Sequence, residues 1–256
     1  MLAFPLVDCF RPGQIQISWT DSSRPTIPEV EAVINREWAN ALSRPGIHLF
    51  DGPMCRMESF QASGGRLHLN LSRTSYRIFY GTNMHHPELA DRHGQAILAN
   101  SVGLSALLLS ADGFAIMGRR NQKVAYYPGR VHPFAGCLEP GEKVDVFDEI
   151  LREFREELSL SKPDFDELLC TGIAEDRSLR QPEIIFLARS KQTREQIESR
   201  LDPSEHVGIW HTPATAESVA NALQSGEQFT PVAIAALMLY GRVEFGDGWF
   251  ERHKEI

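Results

Sequence analysis

The sequence predicts an α+β fold in which a mixed sheet is flanked by helices. In the second half of the chain, strand-like and helical runs follow one another in the order β-β-β-α-β-β-α, and the first hundred residues also mix the two types. The composition is that of an ordinary globular protein rather than a disordered one, because 42 % of the residues are hydrophobic and 23 % are charged. A chain of 256 residues is long enough to bury a core without covalent staples.

Residues 1–100 form the first predicted domain, an α+β extension. Residues 14–19 alternate between polar and apolar side chains, and Ser63-Gly64-Gly65 is a hairpin signal between two further strand-like runs. The strands are predicted at Gln14–Trp19, Cys55–Ala62 and Arg66–Leu71, and the helices at Glu29–Leu42 and His86–Asn100. The sequence near residue 100 has no linker rich in Pro, Gly and Ser, so we expect this domain to pack closely against the second.

Residues 101–256 form the second predicted domain. It opens with a hairpin, because the apolar runs Val102–Ser110 and Phe114–Gly118 flank the turn Ala111-Asp112-Gly113. Short extended segments are predicted next, at Val124–Tyr127 and Val131–Phe134. The remaining predicted elements are a helix at 144–158, strands at Leu168–Ala174 and Glu183–Ala188, and helices at 192–200, 215–224 and 230–240.

Charge, cysteine content and the length of apolar runs restrict the class of protein. The formal charge of −8 lacks the basic footprint of a nucleic-acid binder. Four cysteines without a CxxC motif are too few for a disulfide framework and favour a reducing compartment. The first ten residues lack the basic region of a signal peptide, and the apolar runs are too short to span a bilayer. We expect a cytoplasmic protein without nucleic-acid or membrane partners.

An acidic segment at residues 139–157 carries the strongest chemical signal, with eight acids against three bases. On a helix, Glu149, Glu153 and Glu157 lie at successive i,i+4 positions, and Glu156 is their neighbour. Carboxylates stacked in this way repel one another unless a cation such as a hard divalent metal ion lies over them. A solvated helix face is the alternative interpretation. An opposite apolar stripe instead indicates a packed helix with the acids at its edge: Ile150, Leu151, Phe154 and Leu158.

The same segment resembles the signature of the Nudix hydrolases, G-x5-E-x7-R-E-U-x-E-E-x-G-U, where U is a bulky aliphatic residue. Gly136 and Glu142 match its first part, and residues 152–160, R-E-F-R-E-E-L-S-L, match its second. Two departures occur, since the spacer has nine residues and Ser159 stands where Gly is usual. Two residues inserted within a helix would rotate the following face by about 200°, so we expect them in the preceding loop. A left-handed Ser159 should cost on the order of 1 kcal/mol.

The resemblance implies an α/β/α sandwich and a diphosphatase that uses Mg²⁺, with Mn²⁺ as an alternative. By position, Glu153 and Glu157 correspond to the direct metal ligands of the family and Glu156 to a further one. A backbone carbonyl at Ala135 or Gly136 often joins them. In such a site, metal ions neutralise the diphosphate oxygens and activate a water molecule that attacks phosphorus in line.

Three further side chains correspond to supporting positions in the family. Arg152 corresponds to the residue that pairs with the loop acid, here Glu142, and thereby orients the carboxylates. An additional acid from a neighbouring strand often assists the reaction. Glu183 is the first candidate for this role, also as a metal ligand, and Glu175 is the second; an ordinary carboxylate at a strand edge is the alternative for both.

Outside this signature, the chain resembles the animal UDP-glucose and UDP-galactose diphosphatase group over residues 45–245, in the same order. The resemblance is carried by four segments, Leu49–Pro53, Thr74–Asn83, Gly118–Arg120 and Gly172–Ala174. That group also has a lengthened spacer, so this departure supports the assignment. The resemblance implies hydrolysis of UDP-glucose or UDP-galactose to UMP and a hexose 1-phosphate.

Six side chains correspond to ligand-lining positions of that group. Phe50 and Tyr76 correspond to aromatic contacts of the uridine, and Arg120 to a contact of the nucleotide; the other three are His132, Cys137 and Glu139. Core aromatic residues are the alternative for Phe50 and Tyr76, and a solvated strand end is the alternative for Arg120. The isolated histidines at positions 85, 86, 93, 206 and 211 are expected at the surface.

Two other functions remain open at this stage. One is a Nudix hydrolase for ADP-ribose, NADH, CoA or another nucleoside diphosphate derivative. The other is a non-catalytic nucleotide sensor, which is disfavoured because all three glutamates of the signature, Glu153, Glu156 and Glu157, are present.

Overall fold

Strands and helices are interspersed along the chain in the computed structural model, which describes residues 2–44, 49–124, 126–204 and 206–254. The strands in these ranges are β1 Leu2–Phe10, β2 Ile15–Trp19, β3 Pro53–Ser63, β4 Arg66–Ser75, β5 Gly103–Leu109, β6 Phe114–Arg120, β7 Val131–His132, β8 Phe134–Cys137, β9 Phe165–Asp176, β10 Gln181–Ser190 and β11 His206–Pro213. The α-helices are α1 Pro28–Leu42, α2 Tyr76–Phe79, α3 Leu89–His93, α4 Val146–Leu158, α5 Arg194–Glu198, α6 Ala216–Gln224, α7 Pro231–Phe245 and α8 Asp247–His253.

A large mixed sheet forms the centre of the fold. Its strand order is β1-β9-β10-β5-β6-β11, with β7 paired to β6 and β8 paired to β5. β10 and β5 are parallel, whereas β9 and β10 are antiparallel. Alternate residues of β5 enter two different cores, since Leu104 packs in the core of α4 and Leu107 packs in the core of α7. Helices therefore cover both faces, and the predicted α+β class with its three layers is confirmed.

A smaller sheet of order β2-β4-β3 packs over the core of α4. The predicted hairpin joins β3 to β4, and Gly64 and Gly65 both adopt positive φ angles in its turn. Leu67 and Leu69 of β4 are fully buried in the same core as Phe154 of α4. Helix α4 thus shares one apolar core with both sheets. Its acidic edge lies next to strands β8 and β11.

The N-terminal strand shows that the predicted division at residue 100 does not separate two sheets. β1 pairs antiparallel with β9 at one edge of the large sheet, so Leu6 lies opposite Ile173 and Phe10 lies opposite Cys170. This strand is not among the predicted elements. The domain boundary itself stays a prediction.

Other elements differ from their predicted bounds for local reasons. The helix predicted at His86–Asn100 is broken into α3 and a short 3-10 turn at Gln95–Ile97, because Gly94 between them has a φ of 81°. The extended segment predicted at Val124–Tyr127 lies partly outside the described residues, and the described part forms no strand. β11 and α8 were not predicted.

Helix α4 ends at Leu158, as predicted, and begins at Val146, two residues after the predicted start. The Asp145 side chain accepts hydrogen bonds from the backbone N–H groups of Phe147 (2.8 Å) and Asp148 (3.4 Å), which caps the N-terminus. Ser159 takes the left-handed conformation with a φ of 52°, as predicted for the position where Gly is usual. The helix is continuous from Val146, so the two extra residues lie in the loop before it, which confirms the predicted site of the insertion.

Two further expectations concern the cysteines and the lengths of the helices. All four cysteines are free thiols, as expected. In the ranges that the structure describes, no helix combines the length and apolar character needed to cross a membrane.

Candidate active site

Two carboxylates on the acidic edge of α4 are buried against strand β8. Glu153 is only 8 % exposed and Glu157 only 3 % exposed, although both are charged residue types. The Glu153 carboxylate occupies the space beside Gly136, where a Cβ atom would lie 2.0 Å from its Oε1. The Oε1 of Glu157 accepts a hydrogen bond from the backbone N–H of Ala135 at 3.3 Å. Both carboxylates therefore lie against the backbone of β8.

Burial has the largest effect on the electrostatics of Glu153. Burial raises the pKa of Glu153 to about 8, and the negative charges of Glu157, Glu156 and Glu149 add to this effect. The Arg152 guanidinium opposes the rise in the pKa of Glu153. A buried carboxylate with a raised pKa has a site that penalises its charged form, and a bound cation would remove that penalty.

Arg152 holds the acids in place through contacts within its own helix. Its Nε donates to Glu149 at 3.0 Å, its Nη2 donates to Glu153 Oε1 at 2.6 Å, and its Nη1 donates to Glu156 at 2.9 Å. Glu142, the partner predicted for Arg152, is exposed in the lengthened loop. The i,i+3 and i,i+4 spacings bring Glu149 and Glu156 within reach instead, so the predicted Glu142 pairing is wrong.

Glu183 lies on the central sheet rather than on α4. It is 6 % exposed, and its Oε1 accepts a hydrogen bond of 2.5 Å from Ser105 Oγ on the adjacent strand. Its carboxylate fills the space beside Gly103, where a Cβ would lie 1.8 Å from Oε2. Burial raises the pKa of Glu183 to about 8. Glu175, the second candidate, is half-buried on β9 opposite Ala3.

The donor atoms of Glu153 and Glu157 fit a hard divalent cation. Among the described residues, His, Cys, Asp and Glu side chains form no group of three or more that would enclose a metal ion. Mg²⁺ does not need such a cage, because it is usually held by one or two carboxylates together with substrate phosphates and water. Two buried carboxylates on consecutive helical turns supply that donor set.

Cys137 lies among the predicted acids and close to Tyr76. Burial raises the pKa of the Cys137 thiol to about 12, and the charges of Glu183, Glu153 and Glu139 contribute. The thiol is therefore protonated near neutral pH and is not a nucleophile. Cys137 is half-buried at the end of β8, and Glu139 is exposed in the loop that follows.

The small sheet brings the segments that carry Phe50 and Tyr76 next to each other. The hairpin of β3 and β4 returns the chain, so the backbone N–H of Tyr76 donates to the Gly52 carbonyl at 2.9 Å. Phe50 is 79 % exposed, which excludes a core role. Tyr76 is half-buried, and its ring centroid lies 6.1 Å from that of Trp38. The Phe50 ring is thus exposed to solvent, whereas the Tyr76 ring packs against Trp38.

The sequence resemblance implies that Tyr76 contacts the base of UDP-glucose, and on that hypothesis its replacement by Ala is expected to raise the KM by about tenfold, with a smaller effect on kcat. An aromatic face stacked on a base contributes about 1–3 kcal/mol, and this contact does not change between ground state and transition state. Steady-state kinetics at saturating Mg²⁺ measures both constants. Tyr76→Phe keeps the ring and serves as the control; a KM equal to wild type in Tyr76→Ala would contradict a base contact at this position.

Arg120 and His132, two of the predicted ligand-lining residues, both lie beside the ring of Tyr126. Tyr126 itself is not among the predicted site residues. The Arg120 guanidinium lies 4.6 Å from the centroid of the Tyr126 ring. His132 is 2 % exposed, and its Nδ1 lies 2.8 Å from Thr230 Oγ1. Burial lowers the pKa of His132 well below its usual range, and the charge of Arg120 adds to this effect. The ring of His132 is therefore neutral at physiological pH.

Arg120 and His132 each present an unused polar atom. Arg120 Nε and His132 Nε2 are buried and have no hydrogen-bond partner in the part of the chain that the structure describes. Buried polar atoms are rarely left unpaired, because each costs about 1–3 kcal/mol. Both atoms would gain a hydrogen-bond partner if a polar ligand reached them. An isolated Tyr such as Tyr126 gives no sequence signal for such a role.

His206 is the clearest correction among the histidines. It is predicted at the surface, but it is 2 % exposed, and its Nε2 lies 3.1 Å from Glu157 Oε2. A single histidine carries no periodic or spacing signal, so only the pairing of β11 with β6 brings it to this position.

Helix α4 carries the R-E-F-R-E-E-L pattern and shares one core with both sheets, which is the arrangement that the sequence resemblance implies. No protein-family model matches the chain. It is similar to the uridine diphosphate glucose pyrophosphatase NUDT22 of Homo sapiens, with 28 % identity over 268 residues that cover 90 % of this chain and 88 % of that protein. The protein of the same name from Mus musculus is 28 % identical, covering 89 % and 85 % of the two chains. The predicted resemblance to the Nudix UDP-sugar diphosphatase group is therefore confirmed.

Among solved structures, a NUDIX hydrolase from Nitrosomonas europaea is similar to this chain with a TM-score of 0.38 and 20 % identity. The similarity covers 56 % of this chain and 90 % of that one.

Proposed function

We propose that the protein hydrolyses the diphosphate bond of a nucleoside diphosphate sugar in a Mg²⁺-dependent reaction, and that UDP-glucose or UDP-galactose yields UMP and a hexose 1-phosphate. The observation that carries this proposal is the pair of buried carboxylates, Glu153 and Glu157, on one edge of α4 against β8. The curated relatives are named as UDP-glucose pyrophosphatases and match about nine tenths of the chain, which supports both the class of enzyme and the substrate.

The acids of α4 would hold the metal ion. Glu153 and Glu157, with Glu156 and the backbone carbonyl of Gly136, provide oxygen donors for Mg²⁺ or Mn²⁺. A divalent ion bound there supplies charge neutralisation for the diphosphate oxygens and lowers the pKa of a water molecule. Arg152 keeps the carboxylates of Glu153 and Glu156 in fixed orientations through its hydrogen bonds.

Glu183 is the candidate for proton transfer. A general base works best when its pKa lies near the operating pH, and burial raises the pKa of Glu183 to about 8. In this role its carboxylate takes the proton of a water molecule that attacks one phosphorus in line, and the bond from that phosphorus to the bridging oxygen breaks. Ser105 orients the carboxylate from the neighbouring strand.

The remaining predicted residues would bind the substrate. Phe50 and Tyr76 offer aromatic faces for the uracil ring, while Arg120 and His132 offer buried polar atoms for the polar part of the substrate. Cys137 and Glu139 would lie beside the bound substrate. The partner of this site is thus a small nucleotide sugar rather than a macromolecule.

Product identification is the test of this proposal. Incubation of the full chain with Mg²⁺ and UDP-glucose is expected to give equimolar UMP and glucose 1-phosphate and no UDP, measured by ion-exchange chromatography. Release of UDP and glucose would mean glycosidic cleavage, which needs two carboxylates flanking an anomeric carbon, and would contradict the proposal.

A panel of substrates separates the alternatives. We expect UDP-glucose and UDP-galactose to have a higher kcat/KM than ADP-ribose, NADH or CoA. Preference for one of the latter compounds would contradict the uridine assignment. Binding of UDP-glucose without turnover in the presence of Mg²⁺ would favour a nucleotide sensor.

A further inference from the structure

His206 is buried beside one of the acids of α4. It is the first residue of β11, which pairs antiparallel with β6, and its register partner is Arg120. Its ring turns inward, so its Nε2 lies 3.1 Å from Oε2 of Glu157. The two side chains are 2 % and 3 % exposed. A hydrogen bond to a carboxylate is about twice as strong as one between neutral groups, and its strength increases in a dry environment.

The shape of the surrounding structure holds the ring in one place. A Cβ atom at Gly118 would lie 2.2 Å from His206 Nδ1, so only glycine leaves room for the imidazole there. The Phe134 ring packs against it edge to face, with centroids 5.6 Å apart. The orientation of His206 therefore depends on the absence of a side chain at Gly118.

The hydrogen-bonding pattern indicates where the ring carries its proton. Nδ1 is buried and has no hydrogen-bond partner within the described ranges. A proton on Nε2 makes this nitrogen the donor to Glu157 and leaves Nδ1 as an unpaired acceptor, which avoids a buried unpaired N–H. The other carboxylate oxygen, Oε1, accepts from the Ala135 N–H at 3.3 Å. Each oxygen of Glu157 is thus held from a different strand.

We propose that His206 is a positioning residue that fixes the carboxylate of Glu157 in the orientation in which it binds a divalent cation. The inference rests on the proposed function to the extent that Glu157 is taken as a metal ligand. Hydrogen-bond partners of ligating side chains typically contribute 10- to 100-fold to metal affinity, because they remove rotational freedom from the ligand. His206 would act on the ion through Glu157, without contacting it.

Direct measurement of Mn²⁺ binding tests this role. The free-ion signal in electron paramagnetic resonance gives the Kd of the full chain without any substrate. His206→Leu removes the donor, and Gly118→Ala displaces the intact ring; both are expected to raise the Kd about 10- to 100-fold. His206→Gln presents an amide N–H near the position of Nε2, and its Kd is expected to stay within about threefold of wild type.

Gly208→Ala is the matched control for Gly118→Ala. Gly208 lies on β11 opposite Arg119, and a Cβ there meets no atom within 4 Å. Its Kd should equal that of wild type. Melting temperatures show which variants fold, and Gly118→Ala keeps the test valid where His206→Leu does not fold.

The outcomes separate this inference from the proposed function. A wild-type Kd in folded His206→Leu or Gly118→Ala would overturn the inference, and so would an equal loss in His206→Gln and His206→Leu, because packing alone would then explain it. A wild-type protein that binds Mn²⁺ with the expected variant effects but leaves UDP-glucose intact would support the inference and contradict only the proposed function.

Discussion

Glu153→Gln and Glu157→Gln are each expected to lower the kcat for UDP-glucose by about 100-fold or more, while the protein stays folded. Each change removes one oxygen ligand of full charge, and such a loss costs several kcal/mol of transition-state stabilisation. Initial rates at saturating substrate and Mg²⁺ measure the effect. Glu198→Gln is the matched control, because it neutralises an exposed glutamate on α5, and it should leave kcat unchanged.

The folded state should tolerate the change at Glu153. Since burial raises the pKa of Glu153 to about 8, its site favours a neutral side chain in the metal-free protein. The melting temperature of metal-free Glu153→Gln at pH 8 or above is therefore expected to equal or exceed that of wild type. An inactive variant with a wild-type melting temperature assigns the loss to chemistry rather than to unfolding.

Removal of the metal should have an effect of similar size. EDTA is expected to abolish turnover, and excess Mg²⁺ or Mn²⁺ is expected to restore it, because the acids of α4 have no other function in the proposed reaction. Activity that persists in EDTA, or near-normal rates in both glutamine variants, would refute the proposed metal site.

Deletion of residues 1–85 is expected to leave an insoluble or inactive protein. The deletion removes β1 from the edge of the large sheet and exposes the unpaired backbone groups of β9. It also removes the small sheet, whose residues Leu67, Leu69 and Leu71 are fully buried in the core of α4. The predicted base contacts Phe50 and Tyr76 are lost as well.

One shorter deletion separates the loss of the sheet edge from the loss of the small sheet. Deletion of residues 2–10 removes only β1 and keeps Phe50 and Tyr76. It should therefore lower stability only through the loss of the strand at the edge of the large sheet. Soluble yield and size-exclusion chromatography report folding, with the full chain expressed in parallel as the control. A soluble 86–256 fragment that still prefers UDP-glucose over ADP-ribose would show that the first 85 residues do not read the base.

Much of the local structure could be predicted from the sequence, because its signals act over short distances. Helix α4 is set by its 3.6-residue apolar stripe and the Asp145 cap, and the left-handed conformation of Ser159 follows from its place in the signature. The hairpin of β3 and β4 follows from Gly64 and Gly65. The acids that form the candidate metal site lie within one helix, so their spacing alone brings them to one edge.

The tertiary structure decided the contacts between residues far apart in the chain. β1 joins the large sheet through β9, and no pattern within residues 2–10 specifies that partner. The exposed loop carries Glu142 away, so Arg152 bonds within its helix instead. His206 reaches Glu157 across 49 residues because β11 pairs with β6 and Gly118 leaves space for the ring. Such contacts depend on the pairing of whole strands and on the space left by a third residue, and neither can be read from a short segment of sequence.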